Sequence, residues 1–259
     1  MKAFIATIAA IVCAIFLVFS YTYWKDQTTV SSFSEKDSTS NQSPKAETSA
    51  KQIDPSLLEK TENWPESARQ SLSASLEAGT PYHIAIVGSQ ALGGEDGWAT
   101  RLKNEFEETF SKDLINVSIF EFADQTSDQF IMDGGDQLVA ESSPDLVLFE
   151  PFTLNDNGNV SVEKNHENIM TFLETVKESV VILQPPHPIF NAQIYPGQVN
   201  DLHLFANEQN LPYIDHWEVW PDYMTEEIKD YIVEPKQSAP NEKGHELWFT
   251  YLKDYFIYD

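Results

Sequence analysis

The stretch "YHIAIVGSQALGGEDGW", Tyr82 to Trp98, holds the turn on which the fold depends. Tyr82 to Val87 form a short, nearly continuous apolar run bounded by turn residues, the pattern of a strand buried on both faces. The run ends in Gly88 and Ser89, and the turn that follows carries Gly93, Gly94 and Gly97. Ser89 is therefore either a nucleophile presented at the edge of a sheet or an ordinary polar residue where a strand stops.

The flanking pattern bears on the choice. Before the strand, "SARQSLSASLEA" reads as helix. After it, "GWATRLKNEFEETF" spaces Trp98, Leu102, Phe106 and Phe110 four residues apart, which marks one helical face. "INVSIFEF" predicts a second strand, and "TSDQFIMDGGDQLVAE" a helix interrupted at Gly134-Gly135. "DLVLFE" is a third strand, Val162 to about Glu178 a helix, and "VVILQ" a fourth strand. Helix "QVNDLHLFANEQ", a short strand "PYID" and a last helix "NEKGHELWFTYLKDYF" complete the chain. Apolar strands alternating with helices predict an α/β domain of three layers, doubly wound, with a parallel sheet covered on both faces.

In such a sheet, ligands sit beyond the C-terminal ends of the strands. The residues there are Gly88-Ser89, Glu121 to Gln125, Glu150 to Asp156, Pro185 to His187, and Asp215-His216. A serine on a strand-to-helix turn with nearby glycines has the layout of a nucleophile elbow. Polar residues also collect in loops for no catalytic reason, so position alone leaves both readings open.

The arrangement resembles the SGNH hydrolases, or GDSL esterases, over Tyr82 to the C-terminus. The family's first block is Gly-Asp-Ser-Leu with a glycine four residues after the serine. Here "VGSQALG" aligns Ser89 with the nucleophile and Gly93 with that glycine, while Gly88 replaces the Asp and Gln90 the Leu. The second block supplies a backbone oxyanion donor, which the resemblance places at Ala123 in "FEFADQTS". The third, Gly-x-Asn-Asp, resembles "TLND", with Asn155 as the side-chain donor. The implied fold is the flavodoxin-like parallel sheet of this family. The implied activity is hydrolysis of acyl esters without metal or cofactor.

The fifth block departs from the pattern. Family members carry Asp-x-x-His before Pro-Asn and a helix-starting glycine. In "KQSAPNEKGHELW" the anchors Pro240-Asn241 and Gly244 are present, but Lys236 falls at the Asp and Ala239 at the His. A serine hydroxyl without an adjacent base is a poor nucleophile. Of the six histidines, His83 lies within a strand, and His166 and His203 on surface helices. His216, His245 and His187, in that order, are the candidate substitutes. His245 lies six residues beyond Ala239, about 9 Å along a helix. His216 sits in "IDHWEVWP", where it also suits packing between tryptophans.

Two functions follow. One is a membrane-tethered serine esterase in which Ser89 attacks an acyl ester, the Ser89 and Ala123 N–H groups and the Asn155 amide hold the oxyanion, and a displaced histidine acts as base. Its partners are an acyl-ester small molecule or an acylated envelope glycan. The other is a catalytically silent relative that binds a glycan or an envelope partner, with Trp98, Trp217 and Trp220 available to stack on sugars. A metal hydrolase lacks any HExxH-like spacing.

Composition limits the partners. The 259 residues hold 41 Asp+Glu against 16 Lys+Arg, a formal net charge of −25. That balance disfavours nucleic acid and anionic lipid surfaces, which select clustered cations. At the N-terminus, "MKAFIATIAAIVCAIFLVFSYTYWK" is apolar from Ala3 to about Ser20 and is followed by Tyr21, Tyr23 and Trp24. It reads as an uncleaved signal anchor (1–24), a transmembrane helix from about Ala3 to Tyr23 with the domain outside the cell. Cys13, the single cysteine, lies within it, so no disulfide or thiolate metal site is expected. Residues 25–53, rich in Ser, Thr, Lys and Glu, read as a disordered tether to a domain at 54–259.

Overall fold

The computed structural model describes residues 55–258. The expected anchor, tether and Cys13 lie outside them, and among the described residues no helix is long and apolar enough to cross a membrane.

Four parallel strands form the sheet: β1 (Tyr82–Gly88), β2 (Ile115–Glu121), β3 (Leu146–Phe149) and β4 (Val180–Leu183), in the order β2-β1-β3-β4. β1 is flanked on both sides, and its residues alternate between two cores. Ile84 and Ile86 join Ile115, Leu146, Leu148 and Ile182 on one face, while Ala85 and Val87 join Val147, Phe149, Val181 and Leu183 on the other. Burial on both faces is why the sequence shows unbroken apolar runs rather than alternation.

Helices α1 (Pro55–Glu59), α2 (Glu66–Ala78) and α3 (Trp98–Phe110) precede β2; α4 (Ser127–Met132) and α5 (Gly135–Glu141) precede β3. A short α6 (Thr153–Asp156) and α7 (Val162–Thr175) lead to β4, and α8 (Tyr195–Glu208) and α9 (Glu242–Phe256) complete the chain. The first face is covered by Leu72 of α2, Trp98, Leu102 and Phe106 of α3, and Trp248, Leu252 and Phe256 of α9. The second is covered by Phe130 of α4, Val139 of α5, Phe172 of α7, and Leu202 and Phe205 of α8. This is the expected three-layer α/β architecture.

Two elements differ in extent. The helix from Val162 ends at Thr175, short of Glu178. The "PYID" segment makes one parallel bridge, Leu183 with Tyr213, instead of a strand. Leu183 donates to the Pro212 carbonyl and Ile214 to the Leu183 carbonyl, after which the chain turns into a 3-10 helix at His216–Val219. With β4 ending at Leu183, there is no further ladder to pair with.

Candidate functional site

Ser89 follows the last residue of β1 and caps the 3-10 turn Gln90–Leu92, its Oγ accepting from the Ala91 N–H at 3.2 Å. The turn closes at Gly93, where φ is +89° and a Cβ would meet His245 Cε1 at 2.3 Å. Only glycine fits there, because both the backbone angle and the imidazole exclude a side chain. Ser89 is 1 % exposed.

The nearest carboxylate comes from the neighbouring strand. Glu150, directly after β3, is wholly buried and accepts the Ser89 N–H at 2.8 Å and the Phe152 N–H at 2.9 Å. The Ser89 side chain lies near enough to pull its pKa down. Burial pushes its carboxyl up to about 7, against the pull of these donors. Room for the carboxyl exists because residue 88 is glycine: a Cβ there would lie 2.9 Å from Glu150 Cβ and 3.0 Å from Oε2.

Asn155 stands on α6, at the same edge. Its Nδ2 donates to the Gln90 side-chain carbonyl at 3.1 Å and to the Gln125 carbonyl at 2.7 Å. Gln90 answers with its Nε2, which donates to Asn155 Oδ1 at 2.9 Å and to the Ser238 carbonyl at 3.2 Å. The Asp124 N–H also donates to Gln90 Oε1, at 2.9 Å. The Gln90 carbonyl oxygen is thus held by two donors, one side-chain amide and one backbone N–H. Because Asp124 N–H is an obligate donor and Ser238 C=O an obligate acceptor, the amide has one satisfactory orientation.

The donor that converges with Asn155 is therefore the N–H of Asp124. Ala123, the expected backbone donor, is its neighbour in the same exposed turn. Asp124 has φ +59°, a left-handed angle that favours glycine, and this is the local signal that a glycine-type position lies at 124.

α6 is pinned from beneath by Asp156. Its carboxylate accepts the Ser127 N–H (2.8 Å), the Ser127 hydroxyl (2.6 Å) and Asn165 Nδ2 (2.8 Å), and burial raises its pKa. Asn165 also donates to the Pro151 carbonyl at 2.8 Å. The "ND" pair divides its labour: Asn155 faces the sheet edge, Asp156 holds the helix that presents it.

The three candidate histidines are placed differently. His216 is fully buried, stacked on Trp248 with centroids 4.0 Å apart; its Nε2 pairs with the Pro185 carbonyl at 2.8 Å and its Nδ1 accepts from Trp220 Nε1 at 2.9 Å. Both ring nitrogens are spent, and burial depresses its pKa to about 3. His187 is also buried, with Nε2 on the Gln237 carbonyl at 3.0 Å and Nδ1 unpartnered; burial takes it to about 4. His245, on α9, accepts from the Trp98 N–H at Nδ1 (3.3 Å) and packs against Gly93; burial lowers it to about 4. The segment in which an Asp-x-x-His pair is expected reaches the site through Ser238, but Lys236 is exposed and Ala239 brings no ionisable group.

Of the sugar-stacking candidates, Trp98 is buried against Trp248 at 4.7 Å and Trp220 is buried beside His216, while Trp217 is half-buried with its Nε1 on the Pro186 carbonyl at 2.6 Å. Two cavities elsewhere, one of about 830 Å³ beside Tyr231 and Leu247 and one of about 370 Å³ at the opposite strand ends beside His83 and Asn116, touch none of the groups around Ser89. Among the described residues no group of three or more His, Cys, Asp or Glu is placed to hold a metal ion.

No protein-family model and no curated protein sequence matches the chain. Solved structures do. A G-D-S-L family protein from Desulfitobacterium hafniense DCB-2 is 18% identical, with TM-score 0.55 over 67% of this chain and 98% of that one. The psychrotrophic esterase EstA from Pseudoalteromonas sp. is 18% identical, with TM-score 0.52 over 66% and 94%. An acetylxylan esterase from Geobacillus stearothermophilus is 13% identical, with TM-score 0.56 over 70% and 96%. The chain has the three-layer α/β fold of these esterases, and at such identities it is the fold that is shared.

Proposed function

We propose that this protein hydrolyses acyl esters, with Ser89 as nucleophile and O-acylated glycans as the substrate class. One observation carries the reading. Beside Ser89, at the C-terminal edge of the sheet, the Asn155 amide and the Asp124 N–H converge on a single carbonyl oxygen. Two preorganised donors on one carbonyl oxygen are what an acyl-transfer transition state requires, since charge develops on that oxygen. In the structure the oxygen belongs to Gln90, so a substrate carbonyl enters by displacing that side chain. The fold shared with an acetylxylan esterase supports the glycan class. The anchor and tether expected from residues 1–53 place the domain at the outer membrane surface in this reading, and protease shaving of intact cells, releasing the domain, is its test.

Full-length protein in detergent, assayed on p-nitrophenyl acetate and on acetylated xylo-oligosaccharides, is expected to turn both over, and Ser89→Ala to abolish the activity. Turnover that survives Ser89→Ala overturns the assignment.

A second reading is supported by a different observation. In the register expected from Pro240-Asn241 and Gly244, Lys236 and Ala239 fall at the family's Asp and His positions, and Ser89 is 1 % exposed. On this reading the domain binds an acylated glycan without cleaving it. Binding of acetylated oligosaccharide by calorimetry, with no product formed over a day, decides for the silent form.

A further inference from the structure

The missing histidine leaves open what takes the proton from Ser89. We propose that Glu150 is the base: a carboxylate delivered from β3, through the space that Gly88 leaves on β1, to the hydroxyl of Ser89. The assignment rests on the hydrolase reading above.

Three features of the structure support it. The Ser89 N–H fixes the Glu150 carboxyl at 2.8 Å, which sets that carboxyl beside the Ser89 side chain. The Phe152 N–H holds Glu150 Oε1 at 2.9 Å, so the carboxyl is oriented from both strands. The family's acidic residue before the serine is absent here, and its absence is what admits Glu150, because any Cβ at 88 would sit 3.0 Å from Oε2. Of the histidines, His216 spends both ring nitrogens, while His187 has Nε2 on the Gln237 carbonyl and His245 accepts the Trp98 N–H at Nδ1. A general base suited to neutral pH titrates near 7, where burial holds Glu150. The groups acting on it are few. The Asp156 carboxylate raises it further, the Ser89 and Phe152 donors lower it, and the buried Tyr195 phenol, itself held well above its usual range, couples to it.

The chemistry balances without a cofactor. The Ser89 Oγ–H proton passes to the Glu150 carboxylate as Oγ adds to the ester carbonyl carbon, and the negative oxygen lies between Asn155 and the Asp124 N–H. The C–O bond to the alcohol breaks, the alcohol leaves with the proton from Glu150, and acyl-Ser89 remains. Water then gives a proton to Glu150 as its oxygen adds to the acyl carbon. The Ser89 oxygen leaves and recovers the proton, releasing the carboxylic acid.

The test is a pH profile of kcat/KM on p-nitrophenyl acetate with full-length protein, alongside Glu150→Gln and Gly88→Ala. The wild-type rate is expected to rise to half its plateau near pH 7. Glu150→Gln is expected to lose at least about a hundredfold, the lower bound for removing a general base. Gly88→Ala, which keeps the carboxylate but displaces it, is expected to fall comparably. Circular dichroism checks the fold of each variant. If Glu150→Gln or Gly88→Ala unfolds, the wild-type profile decides. A half-maximum near pH 4, where His187 and His245 titrate, or a folded Glu150→Gln within about fivefold of wild type, removes Glu150 and leaves the hydrolase reading standing. Wild-type protein with no Ser89-dependent turnover removes both.

Discussion

At the scale of single residues, the site is decided by who holds whose hydrogen bonds. Asn155 is the sharpest test of the oxyanion role, since removing one preorganised donor costs about a hundred- to a thousandfold in rate. Asn155→Ala should lower kcat by that factor with little change in thermal midpoint, because its position on α6 is fixed by Asp156 rather than by itself. A loss below tenfold would mean that the amide serves Gln90 alone. The placement of Ser89 and Asn155 past strand ends is legible in the sequence, as polar side chains at fixed offsets beyond apolar strands, whereas their roles are what the substitutions test. Glu150 was visible only as a strand-end residue, since nothing in one dimension shows that Gly88 on another strand opens a space for it. Gln90 and Asp124 were hidden for a related reason. Their roles depend on a loop-to-loop meeting, and Asp124 reveals itself only through its left-handed φ.

At the scale of elements, α6 is a single helical turn, too short to be stable by its own hydrogen bonds. Its stability is borrowed from the buried Asp156, which ties it to α4 through Ser127 and to α7 through Asn165. Asp156→Ala strands the buried Ser127 N–H and hydroxyl proton and leaves the Asn165 amide only the Pro151 carbonyl, and unsatisfied donors of this kind cost about 1–3 kcal/mol each. Urea unfolding should show a loss of about 2–5 kcal/mol. A loss under 1 kcal/mol would show that α6 is held by something else. The strands and long helices were readable because β1, β3 and β4 are buried on both faces and α3 and α9 are amphipathic. The "PYID" segment differs from its expected strand because local composition does not report that β4 ends at Leu183 and leaves it one partner.

At the scale of the whole molecule, the buried titratable groups give the fold a pH dependence. His187, His216 and His245 are held neutral by burial, at about 4, 3 and 4, well below their value in an unfolded chain. Below about pH 6.5 the unfolded chain protonates these imidazoles while the fold does not. Their stabilisation is therefore present above that pH and is lost as pH falls towards their folded values. Glu150 and Asp156, both raised, act in the opposite sense: they favour the fold at low pH and lose that contribution as pH rises. Three histidines outnumber two carboxylates, so the urea midpoint should be lower at pH 5 than at pH 7. A higher midpoint at pH 5 would mean that the carboxylates dominate.

The Gln90 side chain also behaves as a built-in competitor. A tethered carbonyl confronts its two donors at an effective concentration in the millimolar range or above, set by chain connectivity rather than by anything in solution. On the hydrolase proposal an ester must outcompete it, so measured affinity would understate the strength of the donor pair, as it does for any protein whose receptive state is a minor one. Gln90→Ala should accordingly lower KM severalfold without lowering kcat, and an unchanged KM would show that the side chain never stood in the substrate's way. Weak apparent binding of acetylated sugars by the wild-type protein would then reflect occupancy of the site by its own chain, not a poorly formed site.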